Sequence, residues 1–303
     1  MKKIENRELC GERAEYYADE TEYRKVVFKD GESPLKHSSN IRVADSRFEY
    51  KYPLWNSENA VVNNSTFCEL GRSGLWYVKN MTIQDSEIHA PKEFRRSEGI
   101  KLTNVKFTDA AETLWSCDDI TLRNVQADKG DYFAMNSSNF YADNFTLNGN
   151  YFLDGGKNIE IHNSVLNSKD AFWNCENVTV YDSTIIGEYL GWNSKNLKFV
   201  NCKIQSDQGL CYVDGLTMEN CTVTDTVLAF EYSTNLKVEI MNKIDSIKNP
   251  CGGVIKAAAI GTLILNPKRC HPADTRIECD RIGRTLTEDP NPNESMDSVG
   301  LSD

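Results

Sequence analysis

A self-similarity with a period near twenty residues runs through this chain, and no other feature constrains its fold as strongly. The segment Asn158-Ile159-Glu160-Ile161-His162-Asn163-Ser164 is in register with Asn177-Val178-Thr179-Val180-Tyr181-Asp182-Ser183. It is equally in register with Asn196-Leu197-Lys198-Phe199-Val200-Asn201-Cys202. Anchor positions fall at 40, 59, 80, 99, 119, 139, 158, 177, 196, 215 and 235. Asn occupies eight of these eleven; Gly99, Asp119 and Gly215 fill the rest. One and three residues after each anchor come apolar pairs such as Ile41/Val43, Ile100/Leu102 and Leu216/Met218, the alternation of a strand with one buried face. Five residues after the anchor stands Asp or Asn in ten of eleven repeats, a residue type that tolerates left-handed backbone and marks a turn. A second alternating pair follows (Ser46/Phe48, Cys202/Ile204), and then a third segment that runs to the next anchor.

Three short strands per 19–20 residues predict one coil of a single-stranded right-handed parallel β-helix of the pectin-lyase type, all-β and built as a solenoid. A left-handed β-helix needs coils near eighteen residues, and a leucine-rich repeat places its Asn one position later; the register rejects both. About a dozen coils are expected over residues 23–267. Residues 1–22 are expected to form an N-terminal cap containing a short helix over 5–19. Residues 268–303 read as a C-terminal extension, disordered from about 285, where the sequence turns polar and proline-containing.

The phrases Gly31-Glu32-Ser33-Pro34-Leu35, Tyr52-Pro53-Leu54-Trp55 and Asp170-Ala171-Phe172-Trp173 go beyond a generic solenoid. So do Gly187-Glu188-Tyr189-Leu190-Gly191-Trp192, Leu228-Ala229-Phe230-Glu231-Tyr232-Ser233 and Ile244-Asp245-Ser246-Ile247-Lys248-Asn249-Pro250. In this order they resemble a bacterial family of uncharacterised pectate-lyase-like β-helix proteins, a domain of unknown function, over about residues 4–265. The resemblance implies the fold and a bacterial, cytoplasmic setting. It carries over no catalytic residue.

Charge and cysteine usage bound the partners. The net charge of −11 argues against nucleic acid or an anionic membrane. No apolar run approaches the ~20 residues that span a bilayer. No signal peptide is readable at the start, so ten cysteines read as thiols in a reducing cytoplasm.

All five tryptophans, Trp55, Trp76, Trp115, Trp173 and Trp192, stand four residues before an anchor. Lys36, Arg95, Asp154 and Glu231 share that column and are hard to bury. The uniformly apolar column just before it, from Leu35 through Phe94 and Phe172 to Phe230, is the better core candidate. Two readings of the tryptophans stand. They form an outward platform on which sugar rings stack, with Asn174 and Asn193 supplying hydrogen bonds, or they form an interior aromatic stack. The small column two before the anchor (Cys117, Cys175, Ser194) shares strand parity with tryptophan and also looks internal, so exposure requires an intervening bend.

Catalytic residues are not identified by any motif. The nearest approach to paired acids is Asp170, Glu188 and Asp207 on successive coils, with Asp154 one coil earlier, and these read first as solvated turn residues. Arg95 and Arg96, between Trp76-Tyr77 and Trp115, could take an acidic sugar or phosphate unless Glu93 and Glu112 neutralise them. Cys270-His271 with Cys279 lacks the second ligand pair of a zinc site. No metal or cofactor is called for. The sequence therefore leaves two functions: a β-helix that binds or processes carbohydrate, and a non-catalytic scaffold whose solenoid face binds a macromolecular partner.

Overall fold

The computed structural model describes residues 1–289. Among these the chain is an all-β parallel solenoid of about fifteen turns with coils of about 19 residues. It divides into two compact units, Met1–Ile159 and Glu160–Asp303, where the sequence reading gives one solenoid over 23–267. No helix among the described residues is long and apolar enough to cross a membrane.

In the first unit, strands Lys79–Ile88, Glu98–Phe107, Asp118–Ala127 and Ser138–Asn148 pair in parallel, one coil to the next. Their register stacks like on like: Ile83 on Leu102 on Leu122 on Ala142. Phe28, Phe48 and Phe67 form a buried stack with ring centroids 4.7 Å apart. Each such side chain contributes about 1.5–3 kcal/mol by leaving water. The second unit repeats the plan, with Glu176–Tyr181 on Lys195–Val200 and Thr184–Glu188 on Lys203–Asp207.

The corners explain the asparagines. Anchor residues Asn40, Asn80 and Asn196 have φ of 52°, 52° and 55°, and Asn104, Asn124 and Asn201 in the turn column have 53°, 54° and 55°. A left-handed residue costs an ordinary L-amino acid roughly 1–2 kcal/mol, and Asn or Gly much less. The carboxamides then bond from coil to coil: Asn104 Nδ2 donates to Asp85 Oδ1 at 2.7 Å and Asn124 Nδ2 to Asn104 Oδ1 at 2.7 Å. Buried serines form a second set of ladders. Ser194 Oγ donates to the Phe172 carbonyl at 2.6 Å while accepting the Cys175 N–H at 2.8 Å, so a small hydroxyl satisfies two backbone groups of the preceding coil.

Three expectations are corrected. Residues 2–9 are not helical: Lys2–Leu9 is a strand paired in parallel with Thr21–Phe28, so the first turn is already a coil. The solenoid also passes residue 267, because Thr275–Leu286 pairs with Gly253–Ile264 along its length. Disorder expected from about 285 concerns, from residue 290 on, positions outside the described residues. The third segment of the coils, finally, is turn and bend rather than strand. Asp170, Phe172 and Asn174 have φ of 58°, 59° and 54°, each separated by one residue outside the left-handed set. Bonds between coils hold this path, Asn174 N–H donating to Trp192 O at 2.9 Å and Gly191 N–H to Ala171 O at 2.8 Å.

Candidate functional site

That turn decides the orientation of the tryptophans. Phe172 is fully buried and Cys175 nearly so, while Trp173 between them is half-buried on the outer surface and Asn174 is exposed. The left-handed Asn174 supplies the bend that strict strand parity lacks. All five tryptophans share this half-buried state, and the column from Leu35 to Phe230 is the core. The interior reading of the tryptophan column is thereby overturned.

In the second unit the outer aromatics form a ladder. Trp173 and Trp192 have parallel rings 5.8 Å apart, Trp192 and Tyr212 are 5.3 Å apart, and Tyr212 and Tyr232 are 5.4 Å apart. The indole N–H groups are used within the protein. Trp173 Nε1 donates to the Tyr189 carbonyl and Trp192 Nε1 to the Gln208 carbonyl, both at 2.7 Å. The part of each ring left exposed by the stack offers a ligand apolar contact, and hydrogen bonds to it must come from the flanks. Asn193 Nδ2 is spent on Asn174 Oδ1 at 2.8 Å, so these two residues act first as a corner ladder.

One flank is acidic. Glu188 and Asp207 are register partners on adjacent coils, and Tyr189 and Gln208, the residues after them, are those that accept the indole N–H groups. Glu188 is exposed and pairs with Lys169 at 2.9 Å. Lys169 in turn lies 5.8 Å over the Tyr189 ring, which meets Trp192 edge-on at 5.3 Å. Burial, and then the neighbouring Glu188 charge, push the Asp207 carboxyl above its ordinary range. Asp170 is almost fully buried, so it is no solvated turn acid. The arrangement offers two adjacent carboxyls, one exposed and one half-buried, beside an aromatic surface.

The first unit carries a longer stack with cations as rungs. Lys36 Nζ lies 5.6 Å over Trp55, and Trp55 is 5.2 Å from Trp76. The Arg95 guanidinium sits 4.7 Å from Trp76 and 4.8 Å from Trp115. Trp115 continues to Tyr132 at 6.2 Å, and Tyr132 to Tyr151 at 4.8 Å. Arg95 Nη2 also pairs with Glu112 at 2.9 Å, and Lys92 holds the other oxygen of Glu112 at 3.0 Å. Burial raises the Glu112 carboxyl, but these two cations outweigh it and hold it below its ordinary range. Glu93, by contrast, points into the core and does not neutralise the arginines. Arg96 and Tyr77 are exposed, Arg96 in a shallow groove of about 390 Å3 with Lys79, Ser116 and Asp118. Asp154 is half-buried in this unit, its backbone carbonyl accepting the Asn136 N–H at 2.8 Å.

Sequence reasoning found the tryptophan rungs and the adjacent acids. It missed Tyr132, Tyr151, Tyr189 and Tyr232, which reach the stacks from other columns of the repeat. Among the described residues no group of three or more His, Cys, Asp or Glu side chains could hold a metal ion. Cys270 is buried against Asn249 and Asn266, and His271 faces Asp274 at 3.4 Å.

A family model described as a protein of unknown function, DUF3737, matches residues 2–278. The chain belongs to the DUF3737 family. No curated protein matches it. Among solved structures it is similar to a mutant tailspike of E. coli bacteriophage HK620 in complex with pentasaccharide, at 9% identity and a TM-score of 0.36, covering 94% of this chain and 70% of that one. It is also similar to the Streptococcus pneumoniae surface protein and adhesin PfbA, at 11% identity and a TM-score of 0.28, covering 88% and 74%. A third is QnrB1, a plasmid-mediated fluoroquinolone resistance protein, at 12% identity and a TM-score of 0.24, covering 74% and 92%.

Proposed function

We propose that this DUF3737 protein binds carbohydrate on the outward aromatic ladder of its second unit, beside Glu188 and Asp207. The observation that carries the reading is the ladder Trp173–Trp192–Tyr212–Tyr232, four aromatic rungs on the outside of the fold. Sugar rings present apolar C–H faces that pack on such surface, and the acids and Asn174 and Asn193 flank it for hydroxyl groups. Trp76, Tyr77, Arg96 and Trp115 give the first unit a corresponding stretch, in which Arg95 serves as a rung. The two adjacent acids supply the residue types that glycoside hydrolysis requires, a proton donor and a carboxylate. Processing is therefore read out alongside binding. The setting proposed is the bacterial cytoplasm that the family resemblance implies, where thiols such as Cys202 and Cys221 stay reduced.

A glycan array followed by titration calorimetry on the full chain tests the proposal. Wild-type protein should bind an oligosaccharide, and Trp192→Ala should lose about 1–3 kcal/mol of that binding, as aromatic anchors do. Glu188→Gln abolishing product release from a bound glycan would make the protein an enzyme; binding without turnover would make it a binding module. Full binding by Trp192→Ala, or none by the wild type, would overturn the carbohydrate reading.

A further inference from the structure

The two aromatic stacks differ in one respect that bears on ligand charge. In the first unit the chain supplies its own cations: Arg95 fills the gap between Trp76 and Trp115, and Lys36 covers Trp55. In the second unit, among the described residues, no cation of the chain lies over Trp192 or Tyr212, while Lys169 lies over Tyr189. Aromatic faces attract cations through their negative π surface, and nearby carboxylates strengthen that attraction.

The surroundings of this ladder are acidic. Glu188, Asp207 and Glu231 stand along it, against Lys169 and Lys248. Both ammonium groups are already engaged, Lys169 with Glu188 and Lys248 with Glu231, each at 2.9 Å. Asp207 keeps a buried Oδ1 without a hydrogen-bond partner among the described residues, one coil from Glu188. A uronate or sulfated sugar entering this field would be repelled, whereas an ammonium group would relieve the repulsion between Glu188 and Asp207.

Resting on the carbohydrate reading above, we infer that the second-unit ladder takes a linear oligosaccharide of amino sugars with free amines, lying along the ring stack. Consecutive rungs are one coil apart, about 4.8 Å, so a chain lying lengthwise places successive sugars beside successive rungs. Its amines face Glu188 and Asp207 while its apolar C–H surface packs along the exposed rims of Trp173, Trp192 and Tyr212. The indole N–H groups take no part, being bound to Tyr189 and Gln208.

The test compares three probes of equal length by calorimetry in mildly acidic buffer: a β-1,4-glucosamine hexamer, its fully N-acetylated counterpart, and a galacturonate hexamer. The first two share a backbone and differ in amine charge. The glucosamine oligomer should bind about tenfold tighter than the acetylated one, the scale of one near-surface charge pair, and the galacturonate should not bind. Glu188→Gln, at an exposed position, should shrink the tenfold preference to about threefold or less. Equal or tighter binding of the acetylated or acidic oligomer, or a preference unchanged by Glu188→Gln, would overturn the charge inference and leave carbohydrate binding standing. Failure of every oligosaccharide, on the probes and the array alike, would instead remove the reading on which it rests.

Discussion

Glu93 is the residue at which this solenoid departs most from an apolar core. Its side chain has 0% exposure; Oε2 accepts the Gly74 N–H at 2.8 Å, and Oε1 has no partner among the described residues. Burial holds the carboxyl well above its ordinary range, against the pull of the Gly74 and Leu75 N–H groups. The folded chain thus keeps a proton that the unfolded chain releases above about pH 4.3, the ordinary glutamate value. Stability is then complete below that value and falls as pH rises toward the folded-state pKa. Glu93→Gln keeps an acceptor for Gly74 and cannot ionise. Its melting midpoint should exceed that of the wild type at neutral and alkaline pH and converge with it in acid. A wild-type advantage that grows with pH would refute this account. The thiols of Cys117 and Cys211, both pushed up to about 12 chiefly by burial, should likewise resist alkylation in the folded state, while Cys10, on the surface, reacts.

At the scale of the coil, the left-handed corners make a direct prediction. Asn104 has φ of 53° and bonds to both neighbouring rungs. Asn104→Ala and Asn104→Gly both lose those bonds, but only alanine is strained by the backbone. The glycine variant should be more stable by about 1 kcal/mol in urea unfolding; equal stabilities would refute the corner assignment. The same corners explain what could be read from the sequence. Asn, Asp and Gly mark left-handed positions by residue type, and apolar alternation marks buried strand faces, so the period, the core columns and the turn column were legible. The third segment was not, because Phe172, Leu210 and Phe230 take left-handed backbone only under restraint from neighbouring coils, and such residues advertise nothing of the kind. The N-terminal strand was missed because Lys2–Leu9 carries mostly charged residues and buries Ile4 alone. The tyrosine rungs were missed because a stack on an outer surface can recruit rings from several columns, whereas a column search sees one at a time.

For the molecule, repetition means that each coil depends mainly on its neighbours. Removing residues 177–195, one full period from anchor to anchor, should leave a folded, cooperatively melting β protein of lower stability. Removing half as many residues should abolish folding of the second unit, since it throws inward side chains outward. Circular dichroism and thermal melts distinguish these outcomes; equal damage from both deletions would contradict a modular solenoid. The carboxamide ladders also bear on how the protein ages. Deamidation requires the backbone nitrogen of the next residue to attack the asparagine side-chain carbonyl carbon, closing a cyclic imide as the carboxamide nitrogen leaves as ammonia. Asn104, Asn124 and Asn201 have side chains tied to adjacent coils and backbones fixed in one conformation. A chain this rich in asparagine would lose amide groups steadily if unfolded; folded, its ladders should keep them through long alkaline incubation, giving the protein a chemical lifetime set by its fold rather than by its composition.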